Sequence, residues 1–254
     1  MLSIERFVGK VAVVTGASAG IGKAIVELLV KHGVIVAGLG RRINRLEDQA
    51  KQLAKEKGKF HAFKCDLTNQ QEILTTFQQI TTKLGPISVL INNAGISLSN
   101  SIIDGDISKW ITVLDTNVLA AAIAIREAIA SMKLHKTKGH IININSAMGH
   151  KVIDTPGQSM YPASKHAITA LTETVRLEIN REKLPIKITS LSPGYVKTEF
   201  IRVNFGEERA KLIEQMEMPG LDPEDVAEGV LYVLATPEHV NVNELTVRAL
   251  GEKY

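Results

Sequence analysis

A tyrosine and a lysine one helical turn apart, Tyr161 and Lys165, are the side chains of this sequence best suited to move a proton. The Y-x-x-x-K spacing places both on one face of a helix. There, the ammonium group favours the phenolate and lowers the tyrosine pKa toward the range of a general acid or base. Ser146 ends an apolar run shortly before the tyrosine, and its hydroxyl can hydrogen-bond the oxygen that gains or loses that proton. Each pattern alone is common in structural roles, so the chemistry depends on the elements that position these side chains.

A glycine-rich segment near the N-terminus predicts a phosphate-binding turn. It follows the apolar run Val11–Thr15 and precedes a segment of helical period. Glycines let the backbone approach a pyrophosphate closely, and a helix N-terminus offers free amides and the positive end of the helix dipole. Such strings also occur in ordinary turns, but a position between a strand and a helix favours a nucleotide. The residues of this turn that we expect to contact the cofactor are Gly16, Ser18, Gly20, Ile21 and Gly22.

The end of the second predicted strand bears on the choice of nicotinamide cofactor. An acidic residue there would bind a ribose hydroxyl of NAD, whereas the Arg41 and Arg42 of this sequence can clamp the 2′-phosphate of NADP. NADP is therefore the expected cofactor and NAD the less favoured one, although two arginines can also begin a solvated helix. Asp66, followed by Leu67 after the third predicted strand, can accept from an adenine amino group or cap the next helix.

The elements that must position these residues alternate along the whole chain, with short β-branched runs between longer segments of helical period. The predicted strands span residues 10–15, 34–39, 59–64, 87–91, 140–145, 186–190 and 243–248. The predicted helices span residues 21–32, 44–57, 70–84, 107–134, 161–183, 207–217 and 223–235. Strands that alternate with helices indicate parallel strands covered on both sides. We therefore predict an α/β fold, a doubly wound, Rossmann-like, mostly seven-stranded parallel sheet with helices on both faces.

One domain, residues 1–254, is the expected organisation, since no linker or low-complexity tract interrupts the alternation. Ligands of a doubly wound sheet bind beyond the carboxyl ends of the strands, which makes a segment of about 195–222 the expected substrate lid. If its apolar side chains and those after Ser146 face the cofactor, the pocket is wide and apolar. The alternative is that several of them form the core of a lid helix. These side chains belong to Met148, Val152, Ile153, Met160, Tyr195, Phe200, Ile201, Val203, Phe205, Met216 and Met218.

Composition limits the classes of partner. The net charge of +3 comes without a dense block of Lys and Arg, which argues against nucleic acid. The most apolar helical segment, residues 118–130, contains Arg126 and Glu127, and is too short and too charged to span a membrane. A single cysteine, Cys65, permits no intramolecular disulfide and indicates a reducing compartment, so we expect a cytoplasmic protein. The seven histidines form no ligand pair, and no metal site is expected.

The motifs occur in the order and spacing of a known family, and nearly the whole chain resembles the single-domain short-chain dehydrogenases/reductases. The residues that carry the resemblance are the three glycines of the turn, Asn92-Asn93-Ala94-Gly95, Asn117, Ser146, Tyr161, Lys165 and Pro193-Gly194. The resemblance implies that Tyr161 transfers the proton, and that Lys165 lowers its pKa and holds the nicotinamide ribose. It further implies that Ser146 fixes the substrate oxygen and that Asn117 retains a water linked to Lys165.

The same resemblance also implies which residues contact the cofactor, and it indicates a subgroup of the family. It implies that Asn93, Ala94 and Gly95 pass beside the adenosine ribose and that Val196 and Thr198 meet the carboxamide end of the cofactor. Many NADP-using relatives carry a basic residue just before the second glycine, where this chain has Ala19. More of the phosphate recognition therefore rests on Arg41 and Arg42. The segments 141–150 and 243–247 look most like the insect farnesol dehydrogenase group.

The resulting hypothesis is an NADP-dependent oxidoreductase that interconverts an apolar alcohol and its aldehyde or ketone, with an isoprenoid alcohol such as farnesol as the leading substrate. The alternatives are a ketosteroid or xenobiotic carbonyl reductase and, from another class, a nucleotide-binding sensor without catalysis. A sensor would not need Asn117, Ser146, Tyr161 and Lys165 together.

The resemblance also implies a homodimer or homotetramer, because family members commonly pair the helices that correspond to residues 112–130 and 161–183. Small side chains in the first of these would permit close helix packing: Ala120, Ala121, Ala122, Ala124 and Ala128. The alternative is that these alanines pack on the sheet of their own chain.

Overall fold

A single seven-stranded parallel sheet organises residues 3–253, the part of the chain that the computed structural model describes. The strand order is β3-β2-β1-β4-β5-β6-β7, and every neighbouring pair runs parallel. The predicted doubly wound parallel sheet is confirmed. Its strands are β1 (Val11–Thr15), β2 (Ile35–Gly40), β3 (Lys59–Lys64), β4 (Ile87–Asn92), β5 (Gly139–Ile144), β6 (Ile186–Pro193) and β7 (Glu244–Val247).

Helices cover both faces of this sheet. They are α1 (Gly20–Lys31), α2 (Ile43–Gln52), α3 (Gln70–Leu84), α4 (Ile107–Leu114), α5 (Ala120–Leu134), α6 (Met160–Arg181), α7 (Phe200–Phe205), α8 (Glu207–Gln215) and α9 (Pro223–Ala235). Because side chains alternate along a strand, Ala12 and Val14 of β1 pack with α1 and α9, whereas Val11 and Val13 pack with α3, α5 and α6. Two apolar cores therefore flank the sheet.

The alanines of α5 belong to one of these cores. Ala120, Ala124 and Ala128 are buried there with apolar side chains of the sheet. For these three residues, packing on the chain's own sheet is the observed arrangement.

Some boundaries differ from the sequence prediction because neighbouring elements determine them. Strand β6 continues to Pro193 instead of residue 190, since Ser192 and Pro193 pair with β7. Helix α2 ends at Gln52 instead of residue 57, because the chain must turn so that the amide of Gly58 donates to the Val30 carbonyl (2.8 Å). The short helix α7 was not predicted.

The sheet order reverses direction between β1 and β4, which lie side by side although two strands separate them in the sequence. In doubly wound sheets, the crevice beyond the carboxyl ends at such a point is where ligands bind. The loops that follow β1 and β4 therefore form its walls.

Within residues 3–253, no helix combines the length and the apolar character needed to cross a bilayer. In the same range, no group of three or more His, Cys, Asp or Glu side chains is placed to hold a metal ion.

Candidate active site

The glycine turn connects β1 to α1 and is shaped by close contacts between backbones. Gly16 and Gly20 have positive φ values of 66° and 52°, a conformation that glycine adopts without a steric penalty. A Cβ atom on Gly22 would collide with the carbonyl oxygen of Gly16 and with the Asn93 side chain. The first turn of α1 follows Ala19, whose side chain makes no capping hydrogen bond. The amides of this first turn have no side chain as a cap and, as at other helix N-termini, can bind the phosphates of a nucleotide.

The loop after β4 is fastened to this turn through the hydroxyl of Thr15, the last residue of β1. The Thr15 Oγ1 atom accepts from the backbone amides of Asn93 and Ala94, both at 3.0 Å. The Asn93 side chain in turn donates to the carbonyls of Thr15 (2.9 Å) and Gly16 (3.2 Å). These bonds place residues 93–95 directly beside the glycine turn, as the expected role of Asn93, Ala94 and Gly95 requires.

At the end of β2, an arginine points back at the glycine turn. The Nε and Nη2 atoms of Arg42 donate to Ser18 Oγ at 3.2 and 3.1 Å. Arg41 is exposed next to it, and its charge contributes to the environment of Asp66. A guanidinium group that reaches the turn from this side fits the 2′-phosphate of NADP, because it presents several N–H donors in one plane.

Asp66 closes the turn that follows β3. Its Oδ1 atom accepts from the amide (3.0 Å) and the hydroxyl (2.8 Å) of Thr68. The backbone hydrogen bond from Thr68 lowers the pKa of Asp66, with partial burial opposing it, and the Thr68 hydroxyl and the charge of Arg41 lower it further. The cap of α3 is Asn69, whose side chain accepts from Gln71 and Glu72, so the interpretation of Asp66 as the helix cap is wrong. Leu67 lies beside Asp66 and packs against the core.

The predicted proton-transfer residues come together at the carboxyl end of β5. Ser146 lies just beyond this strand, where its Oγ atom accepts from the Met148 amide (3.1 Å). It also lies close enough to the Tyr161 hydroxyl to act on the pKa of the tyrosine. Tyr161 stands in the first turn of α6, and Lys165 follows one turn later. The Lys165 ammonium group donates to the Ile144 carbonyl (2.9 Å) and lies 5.7 Å from the centroid of the Tyr161 ring.

Burial controls the pKa values of this pair. It raises the pKa of Tyr161 to about 12, against the opposing effect of the hydrogen bond with Ser146. It lowers the pKa of Lys165 to about 8, so that the ammonium form still predominates at neutral pH. The net shift of the tyrosine pKa is therefore opposite to the lowering expected from the lysine, because desolvation of the phenolate is the larger influence.

The Asn117 side chain connects the turn between α4 and α5 to the loop after β4 and to α6 through hydrogen bonds. It lies in a single π-helical turn, Asp115–Leu119, that connects α4 to α5. Its side-chain amide donates to the Ile96 carbonyl and to Ser164 Oγ, both at 2.9 Å, and its Oδ1 atom accepts from the Ile96 amide (2.8 Å). A Cβ atom on Gly95 would lie 3.6 Å from Asn117 Oδ1 and 3.7 Å from Lys165 Nζ. Glycine at this position keeps the space between the two side chains open.

The segment between β6 and α9 includes the predicted substrate lid, about 195–222, and is called the lid below. Its base is closed by the pairing of Val196 with Leu221, with the Lys197 amide donating to the Leu221 carbonyl (2.8 Å). On the site side, Phe200 packs against Tyr161 with ring centroids 5.8 Å apart. Asn204 accepts from the Ser97 amide (3.1 Å), which ties the lid to the loop after β4.

The lid helices bury few of their apolar side chains in the protein. Helix α7 has no buried residue, and the one buried residue of α8 is Ala210. Val203 and Met216 are exposed over more than half of their surface. The interpretation of these two side chains as the core of a lid helix is therefore wrong.

Comparison with known proteins assigns the family. The sequence profile of the family described as short chain dehydrogenase matches residues 10–209. This chain is a short-chain dehydrogenase. Two of its relatives are similar over essentially their whole length. Farnesol dehydrogenase of Aedes aegypti is 44% identical over 253 residues, which cover 99% of this dehydrogenase and 100% of the relative. Dehydrogenase/reductase SDR family member 11 of Homo sapiens is 39% identical over 251 residues, 96% of each chain.

A solved structure described as the closed form of serine dehydrogenase complexed with NADP⁺ has the same fold as this dehydrogenase. It superposes with a TM-score of 0.87 at 29% identity and covers 96% of both chains. The similarity includes the sheet, both helical layers and most of the length of the chain.

Two residues of the site were not found by reasoning from the sequence. Thr15 carries the bonds that hold the loop after β4, and a hydroxyl at the end of the first strand is a signal that could have indicated it. Glu199 of the lid forms ion pairs with arginines near the end of β2. No signal in the sequence of this dehydrogenase indicates that contact, because the partners are distant along the chain. Thr198, predicted as a cofactor contact, lies against Gly20 of the turn.

Proposed function

We propose that this dehydrogenase interconverts an apolar alcohol and its aldehyde or ketone with NADP as the hydride carrier, and that its substrate class is isoprenoid alcohols such as farnesol. One observation carries the reaction type. The side chains of Ser146 and Tyr161 meet beyond the carboxyl end of β5, where Ser146 acts on the pKa of the tyrosine, and the Lys165 ammonium group lies 5.7 Å from the centroid of the tyrosine ring. A proton donor and a second hydroxyl are thereby presented to the same substrate oxygen.

The protein residues handle the proton in this proposal. Ser146 hydrogen-bonds the substrate oxygen, and Tyr161 accepts its proton during alcohol oxidation or donates one during carbonyl reduction. Lys165 favours the phenolate through its positive charge, and Asn117 and Gly95 keep the space behind it open. The nicotinamide, when bound, accepts or supplies the hydride. Its oxidised ring is positively charged, which offsets part of the cost that burial imposes on the phenolate.

The proposed preference for NADP over NAD is inferred from the residues that follow β2. Arg42 reaches the glycine turn and Arg41 is exposed beside it, whereas no carboxylate ends β2. Solved structures of similar fold are described as complexes with NADP or NADPH, among them the serine dehydrogenase named above. Both observations support a site for a 2′-phosphate.

The substrate class is supported by the lid and by the relatives. Apolar lid side chains that the protein does not bury, such as Val203 and Met216, suit a long apolar substrate. A relative that is 44% identical over nearly the whole chain bears the name farnesol dehydrogenase. A cytoplasmic location is part of the same proposal, consistent with a single cysteine that permits no intramolecular disulfide.

The test is reduction of the nicotinamide cofactor, followed by absorbance, with NADP⁺ and NAD⁺ against farnesol, geraniol, a hydroxysteroid and a short alkanol. We expect farnesol and geraniol to give the highest kcat/KM, with NADP⁺ preferred. Turnover of the short alkanol but not of farnesol would contradict the apolar substrate class. Preference for the hydroxysteroid would instead support the ketosteroid alternative. The absence of measurable turnover, both in alcohol oxidation and in carbonyl reduction with NADPH, would support a nucleotide sensor.

We further propose that two copies of the chain pair through α4, α5 and α6. Apolar side chains on these helices, and on the turn between α4 and α5, expose between 37% and 62% of their surface. They are Ile107, Ile111, Leu114, Leu119 and Leu177. A face of this kind is typical of an interface between subunits.

Ile111→Glu is expected to convert this oligomer to a monomer, because pairing would bury a charge without a partner. Sedimentation velocity at micromolar concentration measures the change. The matched control is Leu212→Glu, since Leu212 is an exposed leucine of α8, which is not one of the helices proposed to pair. A wild-type protein that already sediments as a monomer would refute the pairing.

A further inference from the structure

The lid carries a carboxylate that lies directly against the arginines near the end of β2. Glu199 Oε1 is 2.6 Å from Arg42 Nη1, and Glu199 Oε2 is 3.0 Å from Arg45 Nη1. Arg42 simultaneously donates its Nε and Nη2 atoms to Ser18 of the glycine turn. One guanidinium group thus bridges the cofactor turn and the lid.

Three consecutive lid residues contact three different parts of the active site. Thr198 lies against the glycine turn, where a Cβ atom on Gly20 would come within 3.1 Å of its Cγ2 atom. Glu199 holds Arg42 and Arg45, and Phe200 packs on the ring of Tyr161. The contact of Glu199 with the arginines therefore lies on the same short segment that touches the proton donor.

Glu199 is charged at neutral pH. Partial burial would raise the pKa of its carboxyl group, but the hydrogen bonds and charges of Arg45 and Arg42 outweigh it and hold the pKa below its usual value. The side chains remain open to solvent, with 43% of Arg42, 53% of Arg45 and 33% of Glu199 exposed. Ion pairs this exposed are weak, so another anion can displace the carboxylate from Arg42.

We propose that Glu199 is a specificity-determining residue that competes with the 2′-phosphate of the cofactor for Arg42, while Arg45 holds the displaced carboxylate. This inference rests on the proposed use of NADP. The competition lowers the affinity for a phosphorylated cofactor and couples its arrival to the position of the lid. A cofactor without the phosphate leaves the contact between Glu199 and Arg42 intact.

The test uses two fragments that lack the nicotinamide, so that no turnover is involved. Adenosine 2′,5′-bisphosphate carries the 2′-phosphate, and adenosine 5′-monophosphate lacks it. In Glu199→Gln, the loss of one nearby negative charge is expected to tighten binding of the bisphosphate by roughly threefold to tenfold. Binding of the monophosphate should stay unchanged, and isothermal titration calorimetry measures both. An unchanged or weaker affinity for the bisphosphate would overturn the proposal.

A second variant tests the role of Arg45. In Arg45→Gln the carboxylate has Arg42 as its remaining partner, so binding of the bisphosphate is expected to weaken by roughly threefold to tenfold. If Arg45 instead only adds charge to the phosphate site, Arg45→Gln should weaken binding by the same factor in the wild type and in Glu199→Gln. A double variant that binds as tightly as Glu199→Gln supports the competition, and a double variant weakened by the full factor contradicts it.

The matched control is Glu207→Gln, which makes the same change of charge elsewhere in the lid. Glu207 pairs with Arg202 at 2.7 Å and takes no part in the contacts of Glu199. The Glu207→Gln variant should bind both fragments like the wild type. If it tightened binding of the bisphosphate as much as Glu199→Gln does, the effect would come from general charge and the proposal would be overturned. Failure of the proposed NADP preference is seen separately, as a wild-type protein that binds both fragments equally.

Discussion

Tyr161→Phe is expected to reduce turnover by about 10²–10⁴-fold while the affinity for the nicotinamide cofactor stays within about twofold of the wild type. The substitution removes one hydroxyl, which is the proposed proton donor, and retains the ring that packs against Phe200. Steady-state rates with farnesol and NADP⁺ measure the first quantity, and fluorescence titration with NADPH measures the second.

The matched control is Tyr232→Phe, since Tyr232 is an exposed tyrosine of α9, away from the carboxyl edge of β5. It should leave both quantities unchanged. If Tyr161→Phe lost cofactor binding together with turnover, the residue would be structural. If it kept more than a tenth of the wild-type rate, another group would have to transfer the proton.

Arg42→Gln is expected to weaken the binding of NADP⁺ by roughly tenfold to hundredfold, because a hydrogen-bonded charge on the 2′-phosphate is lost. The lower end of this range is favoured because the side chain is 43% exposed. NAD⁺ has no phosphate at this position, so its affinity should be nearly unchanged. The ratio of kcat/KM for the two cofactors measures the effect and corrects for any general damage to the site.

Arg42→Lys distinguishes charge from geometry. Lysine keeps the positive charge but lacks the planar set of donors that arginine presents to Ser18 and to a phosphate. We expect an NADP⁺ affinity between those of the wild type and Arg42→Gln. An Arg42→Gln variant that weakens NADP⁺ and NAD⁺ equally would mean that Arg42 supports the turn instead of recognising the phosphate.

Tyr161→Phe tests proton transfer, whereas the variants of Arg42 test cofactor binding. In the proposed mechanism Tyr161 acts at the reacting oxygen, whereas Arg42 contacts Ser18 of the glycine turn. The residue that connects the two regions is in the lid, where Glu199 and Phe200 are neighbours in sequence. A change at Glu199 can therefore alter the contacts of Arg42 and, through the neighbouring Phe200, the packing around Tyr161.

The elements and motifs that depend on neighbours in sequence were predicted well. The strands and most helices lie within a few residues of their predicted positions, because hydrophobic period and turn-forming residues act over short distances. The glycine turn was also predictable, since a strand, three glycines and a helix follow one another without interruption. Helix α7 was not predictable, because its six residues bury no side chain and therefore give no hydrophobic periodicity.

The sequence by itself determined the parallel sheet, the phosphate-binding turn and the placement of Tyr161 and Lys165 on one face of α6, since each is a local pattern. Only the tertiary structure decided which groups surround them. It brought Glu199 to Arg45 across 154 residues and Asn117 to Ser164 across 47. It also reversed the expected direction of the tyrosine pKa. The charge of the lysine can be read from the spacing, but the burial that outweighs it arises from elements distant in the chain.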